Sequence, residues 1–100
     1  MITKIEENED KILVTFLDSL DTSNASLARQ EMDWLLSAQN KEITLDCEAL
    51  NYISSSGLRL FMTLLKHSRA NGSRLLVKNV TDFAMSVFKQ TGFAKLFHFV

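Results

Sequence analysis

Proline is absent from this chain of 100 residues, and cysteine and glycine are scarce. Without proline, the chain has no proline-rich linker and no proline turn, which favours a compact domain rich in helix. The single cysteine, Cys47, excludes an internal disulfide and is typical of a reducing, cytoplasmic compartment. The three glycines lie far apart, so the chain contains no glycine-rich phosphate loop.

Net charge and long apolar runs are also lacking. The formal net charge is -1, which gives no electrostatic argument for binding nucleic acid or an anionic membrane surface. No uncharged apolar run is long enough to cross a bilayer, and residues 1–11 are too mixed and charged for a secretory signal. The length and an apolar fraction of 46% predict one domain, residues 1–100, with a full core.

The hydrophobic pattern predicts an α/β fold. Apolar residues suggest strands at 2–5, 12–16, 43–47, 75–77 and 97–100, and the first two form a hairpin around the polar residues 6–10. Three helical stripes alternate with the later strands, which indicates a mixed sheet of four to five strands packed with about three helices. The residues expected to face the core are Ala25, Ala28, Met32, Leu35 and Leu36 in the first helix, Leu58, Phe61, Met62 and Leu65 in the second, and Phe83, Ala84, Val87 and Phe88 in the third.

A cluster of three serines, Ser54, Ser55 and Ser56, precedes Gly57 at the start of the second helix. Serine is a preferred N-cap residue, so capping explains one of the three. A second serine would project its hydroxyl into solvent, where phosphorylation would add about -1.5 to -2 charges beside the helix N-terminus. Gly57 has no side chain and is expected to leave room for a partner's backbone or nucleotide.

Catalytic and metal chemistry is poorly represented in the sequence. No Gly-x-Ser-x-Gly elbow surrounds the serines, and the only histidines, His67 and His98, lie near no obvious acid in the sequence. Two histidines and one cysteine without paired spacing are not a zinc signature. We therefore expect no catalytic residue, no metal and no cofactor.

Two further positions have alternative interpretations. Asp21 precedes the first helix and serves either a structural role or the same surface as the serines, since ligand sites gather at the ends of parallel strands. Thr22 or Ser23 is expected to cap that first helix.

Leu60 falls outside the inward stripe of the second helix. It either packs on the third helix or, if exposed, forms an apolar partner site beside the serines.

Residues 43–57, with the sequence ITLDCEALNYISSSG, resemble the signature of the STAS superfamily, and more narrowly that of bacterial anti-sigma factor antagonists. The resemblance extends over nearly the whole chain. Further matches occur in the family's order at Leu20-Asp21, Asn71-Gly72, Asn79-Val80-Thr81 and Thr91-Gly92-Phe93.

The resemblance implies the STAS fold and a partner switch without enzyme activity. In that family the unphosphorylated antagonist binds an anti-sigma factor, commonly an ATP-dependent serine kinase, and so releases a sigma factor. Phosphorylation by the kinase dissociates the complex, and a phosphatase restores binding. Carried onto this chain, the phosphorylated serine is Ser55, with Ser56 as the alternative. Together with the arguments from the residues themselves, this gives Asp21, Ser54, Ser56, Gly57 and Leu60 as the expected partner-binding residues.

The chain departs from the family pattern at two positions. Ser54 stands where the family carries an aspartate, so one negative charge beside the phosphorylation site is missing. Asp18 replaces the glycine usual before Leu20-Asp21. A STAS domain that acts as a scaffold without phosphorylation is therefore the alternative function.

Overall fold

The computed structural model describes residues 1–100 and has the predicted order of elements. The strands are β1 (Thr3–Asn8), β2 (Lys11–Phe16), β3 (Glu42–Asp46), β4 (Arg74–Lys78) and β5 (His98–Phe99). The α-helices are α1 (Ala25–Met32), α2 (Ser55–Ala70) and α3 (Asp82–Gln90), and short 3-10 helices follow at Asp33–Ser37 and Phe93–Lys95. No helix combines the length and the apolar character needed to cross a membrane.

The five strands form one mixed sheet in the order β1-β2-β3-β4-β5. β1 and β2 pair antiparallel around a turn in which Glu9 has a positive φ of 54°, and the three remaining pairs are parallel. Parallel neighbours need a crossover connection, and each helix supplies one. The predicted hairpin and mixed α/β sheet are therefore confirmed.

One face of the sheet forms the floor of the core. Val14, Leu45 and Val77 are paired across β2, β3 and β4, and each is 0% exposed. Because successive side chains alternate between faces, the next row, Thr15, Asp46 and Lys78, lies on the opposite and more polar face. The carboxyl ends of β2 and β3 lead into the loops that carry the candidate site.

A chain of phenylalanine rings connects the helices to the sheet. The ring of Phe61 in α2 lies 5.5 Å from that of Phe16 in β2 and 5.6 Å from that of Phe88 in α3. Phe88 in turn lies 5.4 Å from Phe97, just before β5. Such aromatic pairs add to the stability gained by burial, so α2 is held in place from both sides.

The third helix differs from expectation at Phe83, which was predicted to face the core and is 51% exposed. The buried face of α3 is centred on Ala84 and Phe88, four residues apart. Phe83 precedes Ala84 by one residue, or about 100° of rotation, and therefore points outward. Its ring lies 6.0 Å from that of Tyr52.

Glu31 in α1 fixes the beginning of the edge strand β1. Its Oε1 accepts hydrogen bonds from the Thr3 backbone N (2.8 Å), the Thr3 hydroxyl (2.7 Å) and the Ile2 backbone N (3.0 Å). Burial of the carboxylate favours a higher pKa, but the bonds from Thr3 and Ile2 and the charge of the N-terminus outweigh it, so the pKa of Glu31 is lowered.

Replacing Glu31 with Gln should lower the free energy of unfolding at pH 7 by about 1 kcal/mol, because hydrogen bonds to a charged acceptor are stronger than those to an amide. The pKa of Glu31 is lower in the folded protein than in the unfolded chain. The stabilisation is therefore complete above the unfolded pKa and is lost as the pH falls through the folded pKa.

Urea unfolding of both proteins at pH 7 and pH 3 measures this effect. The difference between wild type and Glu31→Gln should shrink at pH 3, whereas a difference that is the same at both pH values would contradict the role of the charge. Glu48→Gln is the control, because Glu48 is exposed and forms no ion pair.

Candidate functional site

The loop after β2 and the loop before α2 are joined by a parallel β-bridge between Leu20 and Ile53. The Leu20 backbone N donates to the Tyr52 carbonyl (3.0 Å), and the Ser54 backbone N donates to the Leu20 carbonyl (2.8 Å). The Ser19 hydroxyl accepts a further bond from the Tyr52 backbone N (3.1 Å). In this register Asp21 follows Leu20 as Ser54 follows Ile53, so the bridge places the acidic loop beside the serines.

Gly57 allows α2 to lie directly against this bridge. A Cβ atom added at Gly57 would lie 2.9 Å from Ile53 Cγ1 and 3.0 Å from Leu20 Cβ, which is closer than side chains tolerate. The expectation that Gly57 gives a partner room to approach is therefore wrong. Gly57 is buried, and the space left by its missing side chain is filled by the protein's own Leu20 and Ile53.

Ser54 is the N-cap of α2. Its backbone is extended (φ -83°, ψ 171°), and its hydroxyl accepts a hydrogen bond from the Gly57 backbone N at 3.1 Å. Only 6% of Ser54 is exposed. Capping therefore accounts for this serine, and its burial argues against the expected direct contact between Ser54 and a partner.

Ser55 and Ser56 begin the first turn of α2. Ser55 is exposed and Ser56 is half-buried. The side-chain hydrogen bonds of this turn and its loop involve Ser19 and Ser54, which leaves the hydroxyls of Ser55 and Ser56 without a partner in the chain. The three serines thus have separate roles: one caps the helix, and two have hydroxyls free for other chemistry.

Asp21 organises the loop that the bridge holds against the serines. Its Oδ1 accepts hydrogen bonds from the Ser23 hydroxyl (2.6 Å) and from the backbone N of Ser23 (2.8 Å) and Asn24 (2.9 Å). The Ser23 hydroxyl and the backbone bond from Asn24 lower the pKa of Asp21, so the group is charged at neutral pH.

The prediction that Thr22 or Ser23 caps α1 is wrong. The residue before the helix is Asn24, whose side chain forms no capping bond, and the Asp21 carboxylate binds the free backbone N–H groups of the turn instead. Both expected roles of Asp21 remain compatible with its geometry, since it shapes the loop and lies beside the serine turn.

Leu60 does not form an exposed apolar patch. It is 4% exposed and lies at the groove between α1 and α2, where Ala25 also lines the wall. The alternative of an exposed partner site is therefore wrong, and the side of Leu60 that reaches the surface faces α1. Any effect of Leu60 on a partner is therefore indirect, through the spacing of the two helices.

Other reactive groups lie in settings without obvious chemistry. The Cys47 thiol is buried; burial and then the neighbouring Asp46 raise its pKa to about 12, so it is protonated at neutral pH. Asp46 accepts a hydrogen bond from Asn79 Nδ2 at 3.2 Å and lies 4.0 Å from Lys78 Nζ. No three His, Cys, Asp or Glu side chains cluster as a metal site would require.

A comparison with protein-family models identifies the fold family. The family model described as "STAS domain" matches residues 3–100. The chain belongs to the STAS domain family.

Relatives of this STAS domain carry regulatory names. The anti-sigma-B factor antagonist of Bacillus subtilis is 24% identical over 88 residues, which cover 88% of this chain and 80% of that protein. Among solved structures, a STAS domain protein from Planctomyces limnophilus has a TM-score of 0.85 at 14% identity, covering 97% of this chain and 87% of that one.

The Bacillus antagonist SpoIIAA has been solved in two states. Its unphosphorylated form gives a TM-score of 0.80 at 17% identity, covering 98% of this chain and 87% of that one. Its phosphorylated form gives 0.74 at 17% identity, covering 98% and 90%. At these identities the structural likeness establishes the STAS fold.

The STAS domain also exposes two aromatic side chains near the serine turn, which the sequence did not single out. Tyr52 and Phe83 are 48% and 51% exposed, and their rings lie 6.0 Å apart. Tyr52 belongs to the serine loop, but Phe83 comes from α3, and only the fold brings them together. The period of α3 alone gave no signal that Phe83 points outward.

Gly57→Ala should destabilise this STAS domain by about 1–2 kcal/mol. Overpacking of this kind costs about 1–3 kcal/mol, and the better helix propensity of alanine returns up to about 1 kcal/mol. Urea unfolding measures the change. Ser55→Ala, an exposed substitution in the same turn, is the control and should stay within about 0.5 kcal/mol. A Gly57→Ala protein as stable as the wild type would contradict the close packing against Leu20 and Ile53.

Proposed function

We propose that this STAS domain is an anti-sigma factor antagonist that binds an anti-sigma factor in its unphosphorylated form. Membership of the STAS family and the names of its relatives support an antagonist function. The binding surface consists of Ser55 and Ser56 in the first turn of α2, together with the loop around Asp21.

The switch is phosphorylation of Ser55, and the observation that carries this proposal is its exposed, unpartnered hydroxyl. Ser55 is exposed at the first position of α2, directly after the buried cap Ser54. A kinase can reach Ser55 without opening the fold, whereas Ser54 would first have to leave its bond to Gly57. The partner is an anti-sigma factor that is itself a serine kinase using ATP, and a phosphatase resets the switch.

Phosphorylation of Ser55 acts on the partner rather than on the fold. The phosphate adds about -1.5 to -2 charges at a helix N-terminus, where the helix dipole favours negative charge. In a complex with the partner, the same phosphate must either lose its hydration inside the interface or push the partner away. A loss of a few kcal/mol would weaken binding on the order of a hundredfold, since each 1.4 kcal/mol is tenfold.

Ser54 meets the structural need of the position where the family carries aspartate. Its hydroxyl accepts the capping bond from the Gly57 backbone N, but it brings no negative charge. The bridge between Leu20 and Ile53 places Asp21 opposite Ser54 in the register of the two loops. We propose that Asp21 supplies the acidic group of the surface that a kinase meets.

A scaffold without phosphorylation is the second candidate. The observation in its favour is the absence of the aspartate at position 54, which removes a charge beside the hydroxyl to be modified. In this case the same surface binds a partner constitutively, and Ser55 contributes only to the fit.

Charge at position 55 should control binding. With a purified anti-sigma factor kinase that captures the unmodified chain, Ser55→Asp should bind on the order of a hundredfold more weakly, because it places a carboxylate in the interface. Ser55→Ala should bind like the wild type. Ser56→Ala is the matched control: it removes a hydroxyl from the same turn without adding charge, so it should bind far more tightly than Ser55→Asp. Equal affinities for Ser55→Asp and Ser55→Ala would contradict the switch.

Phosphate transfer separates the two candidate functions. After incubation with the kinase and ATP, peptide mapping by mass spectrometry should find phosphate at position 55 in the wild type and in Ser56→Ala, whereas any phosphate on Ser55→Ala should lie at position 56. If the kinase partner binds the chain but leaves every serine unmodified, the scaffold function is favoured instead.

A further inference from the structure

A polar groove between α1 and α2 carries positive charge next to the serine turn. Arg29 and Ser26 line it from α1, and Arg59, Ser56 and Thr63 line it from α2. The cavity measures about 250 Å³, several times the ~30 Å³ share of one water molecule. It is open to solvent, and its base is formed by the apolar side chains of Ala25 and Leu60.

The two arginines are available to an anion. Arg59 forms no ion pair in the chain, and Arg29 has only a long contact, 3.8 Å from its Nε to Asp33 Oδ1, between two largely exposed side chains. Such an exposed pair contributes little and is easily exchanged for a better partner. Guanidinium groups bind phosphate oxygens through paired hydrogen bonds, and hydroxyls can add more.

Ser56 is the residue that can bring a phosphate into this groove. It lines the cavity, its hydroxyl has no hydrogen-bond partner, and Arg59 lies three residues further along the same helix, on the same face. Ser55 does not line the groove. Arg59 is within one helical turn of both serines, so Arg29 is the arginine that distinguishes position 56 from position 55.

We propose that this groove is a phosphate-binding site, and that its occupant is a phosphate carried by Ser56. This deepens the proposed function, because it gives the two free serines of one switch surface opposite consequences. A phosphate on Ser55 stays exposed toward a partner, whereas a phosphate on Ser56 is neutralised by Arg29 and Arg59 and ties α1 to α2. Transfer from ATP forms the bond between Ser56 Oγ and the γ-phosphorus, breaks the bond from that phosphorus to the bridging oxygen, and releases ADP and the hydroxyl proton.

The test uses the chain alone, with phosphoserine incorporated during translation at position 55 or 56, so it depends on neither a kinase nor an anti-sigma factor. In urea at 0.1 M salt, phosphoserine at 56 should reduce the unfolding equilibrium constant roughly 5- to 30-fold relative to the unmodified chain, the range that one to two kcal/mol produces. Arg29→Gln should remove most of this gain and leave the phosphoserine-55 protein unchanged. Screening in 1 M salt should also reduce the gain.

Phosphorus NMR gives a second measurement that does not depend on global stability. The second pKa of phosphoserine, about 6 in an open environment, should fall at position 56 and rise back in the Arg29→Gln protein. The proposal would be overturned if phosphoserine at position 56 neither stabilised the chain nor had a shifted pKa. The two arginines would then only shield Leu60 from solvent.

Inorganic phosphate distinguishes the source of the anion. Titrated into the unmodified chain, it should produce at most weak shifts of the arginine side-chain NMR signals at millimolar concentration. Saturable binding of free phosphate, combined with no effect of phosphoserine at 56, would assign the groove to a phosphate from solution and overturn the role of Ser56. Because no partner is present, failure of this test leaves the proposed binding of an anti-sigma factor intact.

Discussion

The bridge between Leu20 and Ile53 is the interaction on which the candidate site depends. These two residues lie in separate loops, more than thirty positions apart in sequence, and two backbone hydrogen bonds fix their register. α2 then packs onto the bridge at Gly57, where a single added carbon would come within 3.0 Å of both loops. The position of the serine turn relative to Asp21 is therefore set by backbone geometry and close packing rather than by a direct contact between the functional side chains.

This constraint explains why three adjacent serines behave differently. Ser54 follows the bridge directly, so its backbone is extended and its hydroxyl turns inward as the cap. The next two residues are the first helical ones and rotate by about 100° each, which exposes Ser55 and directs Ser56 toward α1. Because α2 begins at a fixed residue, the hydroxyl of Ser54 serves the structure as a cap, and those of Ser55 and Ser56 remain free.

The fold was predictable from the sequence because its signals are local. Alternating apolar residues such as Ile43 and Leu45 define strands, and Thr81 marks the beginning of α3, where its hydroxyl accepts a bond from the Ala84 backbone N at 3.2 Å. The orientation of single residues at element ends was not predictable. Phe83 lies at the boundary of a helical stripe, and one step of rotation decides between core and solvent.

The site was predictable in its location but not in its division of roles. The serine cluster and Asp21 were recognisable by type and position. The burial of Gly57 and Leu60 was not, because it depends on which loop and which helix lie opposite them. The same holds for the groove arginines: Arg29 and Arg59 are thirty residues apart, and nothing in the sequence alone pairs them.

We propose that a phosphate on Ser55 prevents binding to an anti-sigma factor while the fold persists. Isothermal titration calorimetry with chains carrying either serine or translationally incorporated phosphoserine at position 55 measures it directly, with circular dichroism to verify folding. We expect both chains to be folded and the phosphorylated one to bind on the order of a hundredfold more weakly. Equal affinity of the two folded chains would contradict it.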